Sequence, residues 1–272
     1  LMGGAFRDKA MAYGTGCYYP DNFRDTGAMM QALAEEVSGY AAAGITAVKI
    51  KLGLLPVDQD RARIELIRET VGPGVMLMAD ANHAYNSATA IRIGRAMEEH
   101  GLLWFEEPVP PEDHDGYRRL RAALDIPIAG GECEFTRFGF RDLIGGGCVD
   151  IVQPDICASG GLSEWVKILG LATQHNVLTV PHVWGSGIAV AAALHAIATV
   201  PPTPHTAAPV TLQNEPMLEF DRTFNPLRDA ILTENFTLED GAVRIPDGPG
   251  LGVSVDEAAL DAHVTRRGEV AR

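Results

Sequence analysis

The stretch that decides the fold is Leu102–Glu132, LLWFEEPVPPEDHDGYRRLRAALDIPIAGGE. It reads as a strand over Leu102–Glu106, a helix over Asp113–Leu124 and a second strand over Pro127–Glu132, and both strands end on a glutamate. Two strands joined by a helix run parallel. The same unit recurs in both directions. Upstream, strands are predicted over Ala10–Thr15, Ala47–Leu52 and Val75–Asp80, with helices over Gly27–Ala43, Val57–Val71 and Ser87–His100. Downstream, strands over Asp150–Asp155, Val177–His182 and Met217–Phe220 alternate with helices over Arg137–Gly145, Leu162–His175 and Gly187–Thr199. Eight strands in strict alternation with helices predict a closed α/β TIM barrel of (β/α)7β type rather than an open doubly wound sheet. No GxGxxG follows the first strand, which argues against a dinucleotide fold. Residues 1–220 are expected to form the barrel, and 221–272, with the turn-rich IPDGPGLG at 245–252, a C-terminal appendage packing on it.

The 272 residues are 46% hydrophobic and 21% charged, a globular composition. A net charge of −14 repels nucleic acid and anionic membrane, so neither is expected as a partner. The longest apolar run, Gly187–Val200, carries His195 and is too short to span a bilayer. Cys17, Cys133, Cys148 and Cys157 form no CxxC pair, which predicts reduced thiols and a cytoplasmic location. The opening LMGGAFRDKA lacks both a signal-peptide layout and an initiator Met, so the sequence is expected to begin inside a longer chain.

Barrel strands should be apolar because both faces are buried. These strands instead end on ionisable residues: Lys49 and Lys51, Asp80, Glu106, Glu132, Asp155, His182 and Glu219. Asp80 to Glu106 is 26 positions, Glu106 to Glu132 another 26, then 23 to Asp155 and 27 to His182, one βα unit per step. Each therefore takes the same place in its unit, the mouth where barrels carry their active sites. Asp80, Glu106 and Glu132 on consecutive strands cannot all stay ionised in one small volume without a cation, and an all-oxygen set suits Mg²⁺, with Mn²⁺ an alternative. Taken singly, each could be a solvated strand-end acid. Lys49 and Lys51 share a strand face. Either a neighbouring cation lowers their pKa and makes a base, or they are lysines snorkelling from a surface strand. Asp155 and His182, on neighbouring strands, form a carboxylate–imidazole dyad. Such a bowl could hold a substrate carboxylate and remove the adjacent carbon's proton from either side.

At these residues the sequence resembles the enolase superfamily, in its mandelate racemase subgroup. KIK at 49–51 is similar to that family's KxK motif, and ADAN at 79–82, FEEP at 105–108 and GGE at 130–132 to its three metal-ligand motifs. QPD at 153–155 and PHVWGSG at 181–187 resemble its Asp–His dyad, and LEFD at 218–221 the segment whose Glu donates a hydrogen bond to the substrate carboxylate. FEEPVPPE, PHVWGSGIA, PMLEFDRTFNP and IPDGPGLG resemble most closely the galactarolactone cycloisomerases within it. The resemblance implies Lys51 and His182 as two bases, Lys49 as an assistant, and Glu219 as the carboxylate partner, with Glu215 as the alternative. It implies a Mg²⁺-dependent lyase or isomerase that takes the α-proton of a sugar acid or its lactone, forms an enediolate, then eliminates or isomerises. Acid-sugar dehydration and racemisation are the alternatives of the same superfamily. It also implies a homo-oligomer, and an N-terminal capping domain that this chain lacks, LMGGAFR reading as the join between cap and barrel.

Asn82, His83 and Trp184 are expected at the substrate, although His83 and Tyr85 could instead cap the following helix. Cys133 and Cys157 read as small buried thiols, Trp104 and Trp165 as packing, and Glu107 as orienting a neighbour. Two other readings stay open. One is a Schiff-base aldolase using Lys49 or Lys51, which borohydride trapping would reveal. The other is a catalytically silent metal-binding barrel.

Overall fold

A computed structural model describes residues 2–201 and 215–266. Seven βα units come first: β1 Lys9–Thr15, α1 Thr26–Ala42, β2 Ala47–Lys51, α2 Val57–Val71, β3 Met76–Asp80, α3 Ser87–Glu98, β4 Leu102–Glu106, α4 His114–Ala123, β5 Ile128–Gly130, α5 Thr136–Gly145, β6 Ile151–Val152, α6 Leu162–Gln174, β7 Leu178–Thr179 and α7 Gly187–Ala198. β8 Leu218–Asp221 and the one-turn helix α8 Pro226–Asp229 follow. β1 to β7 pair in sequence order, all parallel, and β8 pairs parallel with β1 to bring the chain round. The fold is the α/β TIM barrel that the alternation predicts.

Inside the barrel the strands follow one rule. Tyr13, Ala47, Met78, Trp104, Ala129, Ile151, Val180 and Met217 point inward as an apolar floor. Side chains two positions on share a strand's face. Hence Ala47 leads to Lys49 and Lys51, Met78 to Asp80, Trp104 to Glu106, Val180 to His182 and Met217 to Glu219. Register then sets these side by side, with Lys51 opposite Asp80 and Asp80 opposite Glu106.

β5, β6 and β7 are shorter than the six residues expected of each, at three, two and two. Pro154 and Pro181 have no N–H to give a ladder, so pairing stops before them. Glu132, Asp155 and His182 consequently sit on loops just past their strands. Glu132 also departs from the two-residue rule. Gly131 intervenes at φ 126°, a conformation costly to other residues, and a Cβ there would lie 3.1 Å from Phe140 and 3.3 Å from the Gln153 nitrogen.

Beyond β8, β9 Leu238–Glu239 and β10 Ala242–Arg244 form a hairpin. Its two-residue turn, Asp240–Gly241, has positive φ at both positions, 51° and 75°. That is the backbone twist a tight hairpin requires. β10 pairs antiparallel with the start of β1, and Phe236, Leu238, Ile245 and Leu251 pack against the α7–β8–β1 cluster. α9 Glu257–Ala262 is the last helix described. No helix among the described residues is long and apolar enough to cross a membrane.

Candidate active site

Lys49 lies at the bottom of the bowl, fully buried. Its Nζ donates to Glu106 Oε1 at 2.6 Å, lies 2.8 Å from Glu219 Oε1 and 3.7 Å from Asp80 Oδ2. Lys51, one step nearer solvent, places Nζ 2.5 Å from Asp80 Oδ2 and donates to Asn82 Oδ1 at 2.9 Å. The mutual lowering of lysine pKa values expected from their proximity is outweighed. Burial, the largest influence, and Lys49 both push Lys51 down, but Asp80 and Glu106 raise it above the ordinary lysine value. Lys49 is likewise raised: burial opposes its charge, and Glu106 and Glu219 overcome that.

Asp80 and Glu106 are both buried yet titrate in opposite directions. Burial works against Asp80's charge, but Lys49, Lys51 and the Asn82 N–H outweigh it and hold the carboxyl down. At Glu106 burial prevails over Lys49 and the pKa rises, with the negative charges of Asp80 and Glu219 adding to it. Trp104 Nε1 and Gln153 Nε2 donate to Glu106 Oε2 at 2.9 and 2.7 Å.

Glu132 is pushed up to about 7, by burial first, against the lowering influence of His182. Its Oε2 lies 3.4 Å from His182 Nε2. His182 Nδ1 lies 2.8 Å from Asp155 Oδ2, and Asp155 Oδ1 accepts from the Cys157 and Ala158 N–H groups. With Nδ1 donating to Asp155, Nε2 faces the bowl. Burial opposes the imidazolium, but the Asp155 bond and the charges of Glu219 and Glu132 carry the His182 pKa up to about 9.

Ligand oxygens of Asp80, Glu106 and Glu132 lie within 4.8 Å of one another. Lys51 flanks this trio at Asp80 and His182 flanks it at Glu132. Glu219, from β8, lies between the lysine and histidine sides. It accepts from Thr15 Oγ1 at 2.8 Å and from the Val183 N–H at 3.1 Å. Burial is opposed by Lys49 and His182, which hold its pKa at about 2. It is therefore an ionised acceptor in this arrangement, where the resemblance implies a donor. Glu215 is outside the bowl, 3.5 Å from Arg7.

Of the residues expected at the substrate, Asn82 lies at Lys51. His83 turns to Glu107, with Nε2 2.6 Å from Oε2, so its alternative as a helix cap falls to Asn86. Trp184 is 60% exposed on the loop after β7, and Tyr18, Leu54, Phe135 and Phe224, also exposed, lie on the loops after β1, β2, β5 and β8. Tyr85 neither lines the bowl nor caps α3: its hydroxyl donates to Asp60. Asp60 also accepts from Tyr19 and the Gly53 N–H, while Arg63 donates to the carbonyls of Lys51 and Cys17 at 2.7 Å each. That buried network fixes the exits of β1 and β2. Asn82, His83 and Glu107 hold φ of 39°, 68° and 40°, a strained region for non-glycine residues that recurs at functional loops.

Cys133 and Cys157 are exposed rather than buried. The loops that carry Glu132 and Asp155 run along the open mouth, so the next side chains reach solvent. Trp165 packs in the core and donates to Thr199. Thr15, Trp104 and Gln153, which hold Glu219 and Glu106, escape a reading confined to ionisable groups. Their signal is parity, since Trp104 stands two before Glu106 and Gln153 two before Asp155.

Three known proteins share this architecture. D-galactarolactone cycloisomerase of Agrobacterium fabrum (strain C58) is 45% identical over 260 residues, covering 96% of this chain and 66% of its own length. The crystal structure of 3,6-anhydro-D-galactonate cycloisomerase from Zobellia galactanivorans superposes with a TM-score of 0.86 at 42% identity, covering 98% of this chain and 69% of that one. L-talarate dehydratase from Polaromonas sp. JS666, complexed with Mg and L-glucarate, superposes with a TM-score of 0.80 at 28% identity, covering 96% and 65%. The chain thus spans about two thirds of the length of these relatives. The family model described as enolase C-terminal domain-like matches residues 32–259, and the chain belongs to that family, within the enolase superfamily.

Proposed function

We propose that this chain carries the proton-abstracting site of a sugar-acid lactone cycloisomerase, an enzyme that removes the proton α to a carboxylate or lactone carbonyl and expels the β-oxygen. The observation that carries the reading is the flanking of one carboxylate trio by two different bases, Lys51 at Asp80 and His182 at Glu132. The cycloisomerase relatives supply the substrate class.

The trio fits a hard divalent cation. Its three carboxylates converge within 4.8 Å, and burial leaves Glu132 half-neutral near pH 7 despite the His182 imidazolium 3.4 Å away. Asp80, Glu106 and Glu132 would hold Mg²⁺, or Mn²⁺ in its place. When bound, the ion supplies the charge that stabilises an enediolate. The chain's own residues do the rest. Asp155 fixes the imidazole so that Nε2 is the atom that takes or returns a proton. Lys51 Nζ serves the other side once Asp80's negative charge, which holds it protonated, is engaged by the cation. Lys49 pairs with Glu106 and Glu219 beneath the substrate and keeps Glu219 ionised. Asn82 orients Lys51, and Trp184 stands over the mouth as a substrate-facing side chain.

A second reading has a specific observation in its favour. The Polaromonas dehydratase shares the fold, and dehydration begins with the same α-proton. The product decides: incubation with galactarolactone in D₂O should give a ring-opened isomer with deuterium at one carbon and no loss of water. Release of water with a keto-acid product would assign a dehydratase, and configurational inversion alone a racemase. No exchange at all with saturating Mg²⁺ would leave a silent metal-binding barrel. The substrate is in every case a small carboxylate and not a nucleic acid. The reading includes a homo-oligomer, supported by the exposed Phe224 and Phe135, and a cytoplasmic location, supported by four free thiols.

A further inference from the structure

We propose that His83, Glu107 and Cys133 form a second cation site, for one thiophilic divalent ion such as Zn²⁺, separate from the carboxylate trio. Donor atoms of the three lie within 4.8 Å of one another. His83 Nε2 is 2.6 Å from Glu107 Oε2 and 3.7 Å from Cys133 Sγ. Ligands on a tetrahedral zinc stand roughly 3.3–3.6 Å apart, given metal–ligand distances near 2.0–2.3 Å. The sulfur–nitrogen pair is within about 0.1 Å of that span, and the His83–Glu107 pair needs to open by about 0.7 Å. His83 is about a third exposed, so its ring can make that move.

An independent observation points to a ligand. Glu107 is 1% exposed, and its Oε1 accepts no hydrogen bond among the described residues. An uncompensated buried carboxylate oxygen is costly, and a cation held between it, the imidazole and the thiol would satisfy it. The donor set also selects against the ion of the trio. Nitrogen and sulfur favour zinc, whereas Mg²⁺ prefers oxygen throughout. Cys133 is exposed, so solvent gives the ion a way in and a fourth ligand. As the sulfur–metal bond forms, the thiol proton passes to solvent.

The three ligands each follow a residue of the bowl: His83 follows Asn82, Glu107 follows Glu106, and Cys133 follows Glu132. Consecutive side chains turn to different sides, so two cation sites arise from the same three loops.

The test uses Co²⁺ as a spectroscopic stand-in for zinc, titrated into the 272-residue chain with Mg²⁺ present in excess. One equivalent should produce a thiolate-to-cobalt charge-transfer band in the near ultraviolet, and Zn²⁺ should displace it. The trio has no sulfur and cannot give that band. Cys133→Ser should remove the band, and His83→Gln should weaken binding by at least ~10-fold. Cys157→Ser and Asp80→Asn should leave it. Zn²⁺ should also shield Cys133 of the unaltered chain from iodoacetamide, read by peptide mass spectrometry, which needs no variant to fold. Absence of the band in the parent, its survival in Cys133→Ser, its loss in Cys157→Ser or Asp80→Asn, or unshielded alkylation would each overturn the assignment.

Discussion

The two walls of the bowl are built differently. The β2–β4 wall has strands of five residues each, and its ionisable groups, Lys49, Lys51, Asp80 and Glu106, stand within the strands in register. The β5–β7 wall has strands of three, two and two residues, with Glu132, Asp155 and His182 on the loops beyond. On the first wall, opposite charges are buried together, and Asp80 and both lysines are fixed in their charged forms. On the second, Glu132 and His182 titrate at about 7 and about 9. Glu106 apart, whose pKa burial raises, the strand wall thus holds fixed charge, and the loop wall holds the protons that move near neutral pH. Backbone pairing sets the lysines against the strand-wall carboxylates, while on the loop wall burial raises Glu132 against the charge of His182, and His182 is raised against its burial by Asp155, Glu219 and Glu132.

The largest expected effect tests whether the walls act as two independent bases. In D₂O, His182→Asn should stop α-proton exchange on one epimer of a substrate analogue, by ~10² to 10⁴ in rate, and leave the other epimer exchanging. Lys51→Ala should give the mirror result, and Asp155→Asn should follow His182→Asn. If either base variant abolishes exchange of both epimers while Mg²⁺ still binds, the walls are not separate.

Next in size is the fixed charge of the strand wall. Lys49→Met leaves Glu106 and Glu219 buried without their cation, and breaking a buried pair costs about 3–5 kcal/mol. Urea unfolding should show that loss, whereas Glu132→Gln on the loop wall should destabilise little or even stabilise. Equal losses in the two variants would erase the distinction.

Mg²⁺ should stabilise the fold by about 2.7 kcal/mol at a hundred times Kd, because it selects the folded state, and so raise the melting temperature. Glu106→Gln should abolish that shift. No calorimetric binding to the parent at millimolar Mg²⁺ would sink the metal reading.

The smallest effect is a pH dependence. Glu132 binds a proton below about 7, and a cation must displace it. Mg²⁺ affinity should therefore be flat above pH 7 and fall up to ~10-fold per unit below it. His182 gives a stability profile of its own. Its folded pKa of about 9 lies above the ordinary 6.5, so its contribution is full below 6.5 and lost as pH rises to about 9. His182→Asn should flatten stability between those values, and an unchanged slope would show that the imidazolium is not held as described.

Much of this molecule is set by local sequence. The short apolar runs MLMAD and LLWFE, each closed by an acid, the alternating faces of AVKIK and the two 26-residue steps from Asp80 through Glu106 to Glu132 are local properties, and they are enough to specify parallel strands, a barrel and an ionisable group at its mouth. Even the Asp240–Gly241 hairpin turn is written in two adjacent residues. What needs three dimensions is whatever depends on residues far apart in the chain. Thr15 holds Glu219 across 204 positions, Gln153 reaches Glu106 across 47, and Asp60 and Arg63 brace the strand exits from α2. The early ends of β6 and β7 likewise come from ladder bonds that Pro154 and Pro181 cannot make, and that of β5 from the positive φ of Gly131. Charge states are the least legible of all. Lys51 is raised rather than lowered, and Glu219 is held at about 2, because a pKa sums burial and every charge within reach, and only the closed barrel brings those charges together.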